Sequence, residues 1–340
     1  DVDAFVAECN KENIDAVVVA TVTEKPNLVM YWNGEIIVDL ERAFLDTNGV
    51  RVVVDANVVD SDVNVPEERT TSAATLEADA VAVLSDLNHA SQKGLQTIFD
   101  SSVGRSTVNH PLGGRYQITP TEASVQKLPV QHGVTNTASV MAQWFNPYIA
   151  EWSPYHGAAY AVIEATARLV AAGANWSKAR FSYQEYFQRM DKQADRFGQP
   201  VAALLGSIEA QIQLGLPSIG GKDSMSGTFE ELTVPPTLVA FGVTTADSRK
   251  VLSPEFKAAG ENIYYIPGQA ISQDIDFDFI KANFAQFEAI QKAHHITSAS
   301  AVKYGGVLEA LALATFGNHI GAKVELDELD TCLTAQLGGF

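Results

Sequence analysis

The sequence predicts a mixed α/β fold, and three observations lead to this prediction. Segments with the apolar spacing of helices alternate with short β-branched runs that are typical of strands. A chain of 340 residues with 46% hydrophobic residues can bury a large core and form two or three structural units. Its 19% of charged residues and two cysteines exclude the disordered and disulfide-rich classes.

The first 60 residues predict a helix, a strand and a hairpin. Apolar residues recur at helical spacing over Asp1–Asn13, and Ile14–Val22 is a β-branched run. Asn33-Gly34 is the two-residue turn signal of a hairpin. Such a small acidic unit cannot cover both faces of a sheet, so we expect it to be the end of a domain. Because the chain begins with Asp1 rather than Met, we expect an internal piece of a longer protein.

The middle of the chain carries the clearest helix and strand patterns. A polar, proline-containing stretch over residues 61–75 predicts a linker, and Thr75–Gln92 predicts a helix after it. Ser153 followed by Pro154 is typical of a helix start. The other elements predicted here are helices over Ser153–Ala172, Phe181–Phe197 and Val201–Leu214 and a strand over Thr237–Val243.

The last part of the chain changes character near residue 256. Strand and helix signals then follow one another at short intervals. The predicted elements are a strand over Asn262–Ile266, a helix over Asp276–Lys292, a helix over Val307–Phe316 and a strand that begins at Leu337.

The charge balance limits the classes of partner. A formal charge of −18 argues against a nucleic-acid or membrane-surface binder. No apolar run approaches the ~20 residues that span a bilayer, and no secretory signal is present, so we expect a cytoplasmic protein. Cys9 and Cys332 are far apart in sequence, and the seven histidines lack metal-ligand spacing. We therefore predict no metal site and treat the histidines as structural or surface residues.

Residues 215–227, GLPSIGGKDSMSG, form the most informative motif. Gly221 and Lys222 can meet a phosphate, and Asp223 and Ser224 offer oxygens to a cation or a hydroxyl. The motif is not a P-loop, because its first glycine is one residue too far from the glycine–lysine pair and Asp223 stands where that loop needs Ser or Thr. A polar hairpin or loop rich in turn-forming residues explains the same pattern, so both interpretations stay open.

Glu164 and Arg168 lie four residues apart in the helix predicted over Ser153–Ala172. This spacing puts both side chains on one face of the helix, one turn apart. They form either an ordinary surface ion pair or a pair that faces a ligand cleft.

Lys303, Gly305 and Gly306 surround the start of another predicted helix. The N–H groups and the dipole of a helix N-terminus favour an anion. A phosphate beside Lys303 is therefore one interpretation of this short motif.

Four stretches of the chain resemble phosphoribosylformylglycinamidine synthase, the large glutamine-dependent ligase of purine biosynthesis. The GKDSMS run is the most specific part of this resemblance, and the order and spacing of the other stretches support it along nearly the whole chain. The stretches are QLGLPSIGGKDSMSGTFEELTVPPTLVAFGV, LSDLNHASQKGLQTIFDSSVGRSTVNHPLGGRYQITP, SPYHGAAYAVIEATARLVAAGANWS and SAVKYGGVLEALALATFGNHIGAKVEL.

The resemblance implies two tandem halves, each with an N-terminal and a C-terminal domain. The N-terminal domains have an aminoimidazole-ribonucleotide-synthetase-like fold and pair into a shared β-barrel. By this resemblance the chain holds the tail of a preceding C-terminal-type domain (1–60), a linker (61–75), the complete second N-terminal domain (76–255) and the truncated start of the second C-terminal-type domain (256–340).

The resemblance also implies a reaction. The family converts formylglycinamide ribonucleotide, ATP, glutamine and water to formylglycinamidine ribonucleotide, ADP, phosphate and glutamate. ATP activates the amide oxygen, and ammonia released by a separate glutaminase domain then displaces phosphate. ATP and Mg are thus implied for the whole enzyme, with the first half and the glutaminase domain as partners and no catalytic residue in this chain.

The chain departs from the family at its auxiliary nucleotide site. Glu164 matches the family's helix glutamate, but Arg168 stands where Asn is usual, and Ala301 and Lys303 stand where Asp and Ser are usual. Glu122 is a loose match for an upstream Asp. Because two of the four ligand positions cannot bind a metal, we expect no Mg here. We predict instead that Glu164 pairs with Arg168, Lys303 or both, and that these side chains occupy the former metal space.

Two main functions follow, together with one set of candidate residues. The chain is either a piece of the ligase or a non-catalytic scaffold half with a decayed nucleotide site. A stand-alone relative of selenophosphate synthetase or thiamine-phosphate kinase is a third option, which the domain order disfavours.

We expect a homodimer that binds a nucleotide or phosphate but no nucleic acid and no membrane. The candidate nucleotide-binding residues are Glu164, Arg168, Gly221, Lys222, Asp223, Ser224, Lys303, Gly305 and Gly306.

Overall fold

The computed structural model describes residues 1–47, 52–59, 65–66, 68–99 and 105–340. The chain divides into two compact units, residues 1–53 and residues 54–340. Each unit has its own secondary structure.

The first unit consists of α1 (Val2–Lys11), β1 (Asn27–Trp32), β2 (Glu35–Glu41) and α2 (Arg42–Leu45). The predicted hairpin is confirmed, since Asn33 and Gly34 turn the chain with φ angles of 48° and 86°. The predicted strand Ile14–Val22 is wrong, because this run forms no ladder with another described segment, and Val22 is 100% exposed. None of the described side chains of this unit is buried.

The second unit alternates helices and strands, which confirms the predicted α/β class. Its helices are α3 (Leu76–Ser85), α4 (Lys93–Gln96), α5 (Pro147–Trp152), α6 (Pro154–Ala171), α7 (Ala194–Leu214), α8 (Phe277–Ala293) and α9 (Gly306–Phe316). Its strands are β3 (Thr107–Asn109), β4 (Leu112–Gly113), β5 (Thr119–Pro120), β6 (Ser124–Lys127), β7 (Thr137–Trp144), β8 (Arg180–Tyr186), β9 (Ser218–Ser224), β10 (Thr228–Phe229), β11 (Leu232–Thr233), β12 (Thr237–Asp247), β13 (Gln269–Ala270) and β14 (Gln336–Leu337).

Six strands form the main sheet in the order β3-β6-β7-β12-β8-β9. All neighbours pair antiparallel except β8 and β9, which are parallel. The predicted strand Thr237–Val243 is confirmed, since β12 begins at Thr237 and lies between β7 and β8. Three two-stranded pairs, β4–β5, β10–β11 and β13–β14, lie outside this sheet.

Two predictions about the sheet region are wrong in detail. The helix predicted over Phe181–Phe197 is wrong for most of its length, because its first residues belong to β8, residues 187–193 form neither helix nor strand, and helix begins only at Ala194. Alternate residues of β8 are buried, as in a half-buried strand. The motif at residues 215–227 is not a loop throughout, because Ser218–Ser224 forms the edge strand β9. Glycine-rich polar sequence is a loop signal, but here the neighbouring β8 supplies a hydrogen-bonding partner for the backbone.

The core lies between the sheet and three helices. Helix α6 packs on β7 and β12, and α7 and α8 pack on α6. Tyr160, Ile163 and Leu169 of α6 are fully buried in this core. Gly206 lets α7 approach α6 closely, because a Cβ atom there would clash with the backbone carbonyl oxygen of Tyr155.

The other predicted helices are confirmed, with two changed boundaries. Helix α6 starts as expected, with Ser153 Oγ accepting the N–H of His156 at 3.3 Å. Helix α7 begins at Ala194 rather than Val201, since the chain tolerates Pro200 inside it. Helix α3 ends at Ser85 because Asp86 turns out of the helix and its carboxylate accepts the N–H of Asn88 at 2.8 Å.

The end of the chain packs onto the same core. The predicted strand Asn262–Ile266 is wrong as a strand, although Ile266 exchanges two backbone hydrogen bonds with Phe340, at 2.8 and 2.9 Å. The predicted final strand is confirmed by the β13–β14 pair. Helix α9 is tied to β5, since Thr119 Oγ1 donates to the Leu313 carbonyl oxygen at 2.5 Å.

The predicted linker over residues 61–75 lies partly outside the described residues. In its described part, Thr71 donates its N–H to the Asp330 carbonyl oxygen at 3.0 Å, and Arg69 accepts from Thr334 Oγ1 at 3.0 Å. This part is therefore held against the end of the chain. No helix formed by the described residues combines the length and apolar character needed to cross a membrane.

Candidate functional site

The strongest cluster of charged groups surrounds the buried carboxylate of Glu122, just before β6. Arg168 Nε of α6 donates to Glu122 Oε2 at 3.0 Å, and Lys303 Nζ lies 2.9 Å from Oε1. Ser300 Oγ also donates to Oε1, at 2.8 Å. The Glu122 side chain is only 1% exposed, so three separate segments of chain meet at one desolvated carboxylate.

The charges around Glu122 control its protonation. Burial by itself raises the pKa of Glu122, but the adjacent positive charges of Lys303 and Arg168 outweigh burial and hold this pKa below its usual value. Glu122 is therefore an ionised acid with two cationic partners. The prediction that Arg168 and Lys303 pair with Glu164 is wrong, since the ion pairs go to Glu122.

Glu164 is buried in α6, one turn before Arg168, and has a different environment. Its Oε1 accepts the N–H of Gly338 at 2.6 Å, while Oε2 has no hydrogen-bond partner among the described residues. Burial raises the pKa of Glu164 to about 8, with the nearby Glu122 charge adding to the rise. Glu164 is therefore mainly protonated at neutral pH. The helix spacing predicted its position, but only the packed structure shows that it is neutral.

The start of α9 does not present free N–H groups at its paired glycines. Gly305 donates its N–H to Glu309 Oε2 at 2.9 Å, and Gly306 donates to the Lys303 carbonyl oxygen at 3.0 Å. Lys303 itself is engaged with Glu122. An anion at this helix start would have to displace these contacts, so the geometry gives little support to the phosphate interpretation here.

The sequence reasoning missed a second buried pair next to this helix start. His89 Nδ1 lies 2.9 Å from Glu309 Oε1, and both side chains are 5% exposed. Burial raises the pKa of Glu309, but the His89 contacts and the Lys303 charge bring it below its usual value. The position of Glu309, four residues after Gly305, was the available signal, since a helix residue at this spacing can cap the preceding N–H.

The GKDS motif lies elsewhere on the fold, on edge strand β9. Gly221, Lys222 and Asp223 are exposed, and Lys222 Nζ lies 5.4 Å from the centre of the Tyr186 ring. Among the described residues, no hydrogen bond, ion pair or ring contact joins Gly221–Ser224 to Glu164 or Lys303. The nine candidate residues therefore separate into a buried group and an exposed strand.

The exposed strand borders a second acidic pair. Glu185 of β8 stands opposite Asp223 in the β8–β9 register. Burial and, to a smaller extent, the charge of Asp223 together raise the pKa of Glu185 to about 7. Next to it on β8, the buried Tyr183 hydroxyl has no hydrogen-bond partner among the described residues.

The buried group does not fit a divalent metal ion. Mg²⁺ takes oxygen ligands, whereas both oxygens of Glu122 already accept from Arg168, Lys303 and Ser300. Across the ranges that the structure describes, no three His, Cys, Asp or Glu side chains converge in a way that could hold a metal. The two cations at this place would also repel a metal ion.

Comparisons with known proteins give one consistent result. The chain is 24% identical over 345 residues to phosphoribosylformylglycinamidine synthase subunit PurL of Thermococcus sibiricus, covering 94% of this chain and 44% of that protein. It is 25% identical to PurL of Zymomonas mobilis, covering 93% and 44%. No family model matches the chain. The chain spans about half the length of these curated relatives, and the resemblance read from its motifs is confirmed.

Solved structures show the same fold. Thermotoga maritima PurL complexed with ATP matches with a TM-score of 0.64 at 15% identity, covering 98% of this chain and 49% of that one. The PurLQS structure from the same organism matches with a TM-score of 0.62 at 15% identity, covering 99% and 49%. The predicted synthetase-like fold is thereby confirmed.

Proposed function

We propose that this chain is part of an ATP-dependent carbon–nitrogen ligase of the phosphoribosylformylglycinamidine synthase type. The reaction is the conversion of formylglycinamide ribonucleotide, ATP, glutamine and water to formylglycinamidine ribonucleotide, ADP, phosphate and glutamate. The observation that carries this proposal is similarity to PurL over 94% of the chain, in sequence order, together with a shared fold.

The proposed domain arrangement follows the resemblance. Residues 1–60 are the tail of a preceding C-terminal-type domain, 61–75 a linker, 76–255 the second synthetase-like N-terminal domain and 256–340 the start of the next domain. The natural partners are then a first half and a glutaminase domain, and the protein works in the cytoplasm. The similarity to the PurLQS structure from Thermotoga maritima supports partners of this kind.

Within the ligase, we assign this chain the scaffold role rather than the catalytic role. The supporting observation is that the charged side chains around Glu122 pair with one another. Glu122 is held by two cations, and Glu164 is buried with one backbone donor. Any nucleotide contact made by this chain is then assigned to the exposed residues 221–223 and the half-buried Ser224 of β9.

The outer face of the main sheet is the proposed contact surface for a second synthetase-like domain. Met141, Tyr186 and Val243 are 43%, 40% and 41% exposed on this face, and Ile219 of β9 is 81% exposed. Apolar side chains on an open sheet face favour association. In the absence of another domain, a second copy of the chain would cover this face with two-fold symmetry.

The test of the proposed function is genetic. Disruption of the gene in the organism that encodes it should create a growth requirement for purines, relieved by added hypoxanthine and by the restored gene. Growth of the disrupted strain without purines would overturn the proposal.

An enzymatic assay tests the scaffold role. The 340-residue chain should release no ADP when it is given formylglycinamide ribonucleotide, ATP, Mg²⁺ and ammonium. Use of ammonium removes the need for a glutaminase, so the absence of turnover reports on this chain alone. Substrate-dependent ADP release that is lost in a Lys222→Ala variant would show that the chain carries catalysis and would contradict the scaffold role.

A further inference from the structure

The buried groups near α6 and α9 are joined by contacts between side chains of the chain itself. Arg168 Nε lies 3.0 Å and Lys303 Nζ lies 2.9 Å from the carboxylate oxygens of Glu122, and Ser300 Oγ donates to the same carboxylate at 2.8 Å. Glu309 contacts His89 at 2.9 Å instead. The carboxylate of Glu122 thus has two cationic partners without any bound ion.

We infer that Arg168 and Lys303 are built-in counter-ions of this cluster, in place of the divalent metal that the family resemblance implies, so that the cluster forms and keeps its geometry without metal. The inference concerns the residues of this chain only. It rests on the proposed function for the expectation of a metal.

The geometry shows why these cations belong to the fold. Arg168 donates Nη1 to the Gln143 carbonyl oxygen at 2.8 Å and Nη2 to the Thr121 carbonyl oxygen at 3.3 Å, which fixes the guanidinium over Glu122. Its side chain is 16% exposed and that of Lys303 is 14% exposed. Each oxygen of Glu122 therefore already accepts from at least one donor, and two of its three partners are cations that repel a metal ion.

The cluster also joins parts of the chain that are distant in sequence. Glu122 precedes β6, Arg168 lies in the last turns of α6, and Lys303 precedes α9. Their ion pairs therefore connect the sheet, the central helix and the following segment at one point. Removal of one partner leaves an uncompensated buried charge, which is strongly destabilising.

The experiment compares metal dependence with cation dependence in the 340-residue chain. Thermal unfolding is followed with millimolar MgCl2, with MnCl2 and with EDTA. Binding of Mn²⁺ is followed separately by loss of its free electron-paramagnetic-resonance signal. We expect the same melting temperature under all three conditions and no Mn²⁺ binding that depends on Glu122, as judged against a Glu122→Gln variant.

A charge-removing variant provides the second arm. Lys303→Met keeps the length of the side chain and removes its charge, and should lower the melting temperature by on the order of 10 °C, without recovery in MgCl2. Lys222→Met on the exposed β9 is the matched control and should change it by at most about 3 °C.

Two results would overturn the inference. One is Mn²⁺ binding by the natural chain that is lost in Glu122→Gln. The other is a Lys303→Met chain whose melting temperature equals that of the natural chain. Neither readout uses turnover, so failure of this inference is distinguishable from failure of the proposed function, which the purine requirement tests.

Discussion

The Glu122 cluster and strand β9 carry the same kinds of side chain in opposite environments. Around Glu122 the carboxylate is 1% exposed and every charge has a partner within the fold. On β9 the lysine and aspartate are exposed, and the closest aromatic contact of Lys222 is at 5.4 Å. In the sequence, both regions are marked by charged residues that lie beside glycines or on one face of a helix. Burial decides that the first stabilises the fold and that the second is accessible to a ligand.

The comparison also shows how two glutamates in different protonation states can share one cluster. Glu122 and Glu164 act on one another electrostatically, yet burial and cations move their pKa values in opposite directions. The cations are closer to Glu122, so they stabilise its ionised form. Glu164 has one N–H donor and remains protonated, since ionisation of both acids would place two negative charges in a desolvated space.

The largest effect should come from neutralising Glu122. Glu122→Gln leaves Arg168 and Lys303 buried without a carboxylate, and it should lower the free energy of unfolding by about 3–5 kcal/mol. Urea unfolding at pH 7 measures this difference. The control is Glu231→Gln, an exposed acid beside β11, which should change stability by less than about 0.5 kcal/mol. If Glu122→Gln lowers the free energy of unfolding by less than about 1 kcal/mol, the Glu122 cluster does not stabilise the fold more than the exposed strand β9 does.

The second effect is the pH dependence that Glu164 produces. Its folded pKa of about 8 lies above the ordinary value of 4.5, so the folded state keeps a proton that the unfolded state releases. Stability therefore falls as pH rises from about 4.5 to about 8, by up to about 1.4 kcal/mol per pH unit. Glu164→Gln should make this slope shallower without abolishing it, because Glu185, whose pKa is also raised, contributes in the same direction. Urea unfolding between pH 5 and pH 8 measures both proteins.

Glu122 provides the internal contrast for that measurement. Its pKa is held below the usual value, so its stabilisation is present above the unfolded pKa and is lost as pH falls through the folded pKa. Glu164→Gln should leave this acid-side loss in place. Equal pH slopes for the natural chain and Glu164→Gln between pH 5 and pH 8 would contradict the assignment of a protonated Glu164.

The third effect tests whether the exposed side of the sheet is a contact surface. Ile219→Asp puts a charge in the proposed interface and should weaken self-association at least tenfold, about 1.4 kcal/mol. Sedimentation of the chain at tens of micromolar gives the dissociation constant. Ile212→Asp, at a 70% exposed position of α7, is the matched control and should leave it unchanged. A natural chain that sediments as a monomer would end the proposal of a second copy on this face.

The smallest effect should come from the exposed strand itself. Lys222→Ala removes a solvent-exposed charge and a contact with Tyr186, so it should lower the free energy of unfolding by no more than about 1 kcal/mol. Urea unfolding of Lys222→Ala, in parallel with Glu122→Gln, measures this change in the free energy of unfolding. A loss as large as that of Glu122→Gln would show that β9 is structural in the same sense as the buried cluster.

Much of the fold could be predicted from local sequence. Ser153 and Pro154 marked the start of α6, Asn33-Gly34 marked a hairpin, and apolar spacing located α8 and α9. These signals act within a few residues, through capping, turn geometry and helix periodicity. Predictions failed where the partner was distant, as for Ile14–Val22, which has strand composition but no ladder, and β9, which has loop composition but pairs with β8.

The candidate site divides in the same way. By itself the sequence determined that Glu164 and Arg168 share a helix face, that Lys303 precedes a helix and that GKDS is the most specific motif. Only the tertiary structure decided that Glu122, 46 residues from Arg168 in sequence, receives both cations, while Glu164 stays protonated. The physical reason is that helix spacing is a local property, whereas desolvation and the distance between charges depend on segments that meet only when the chain has packed.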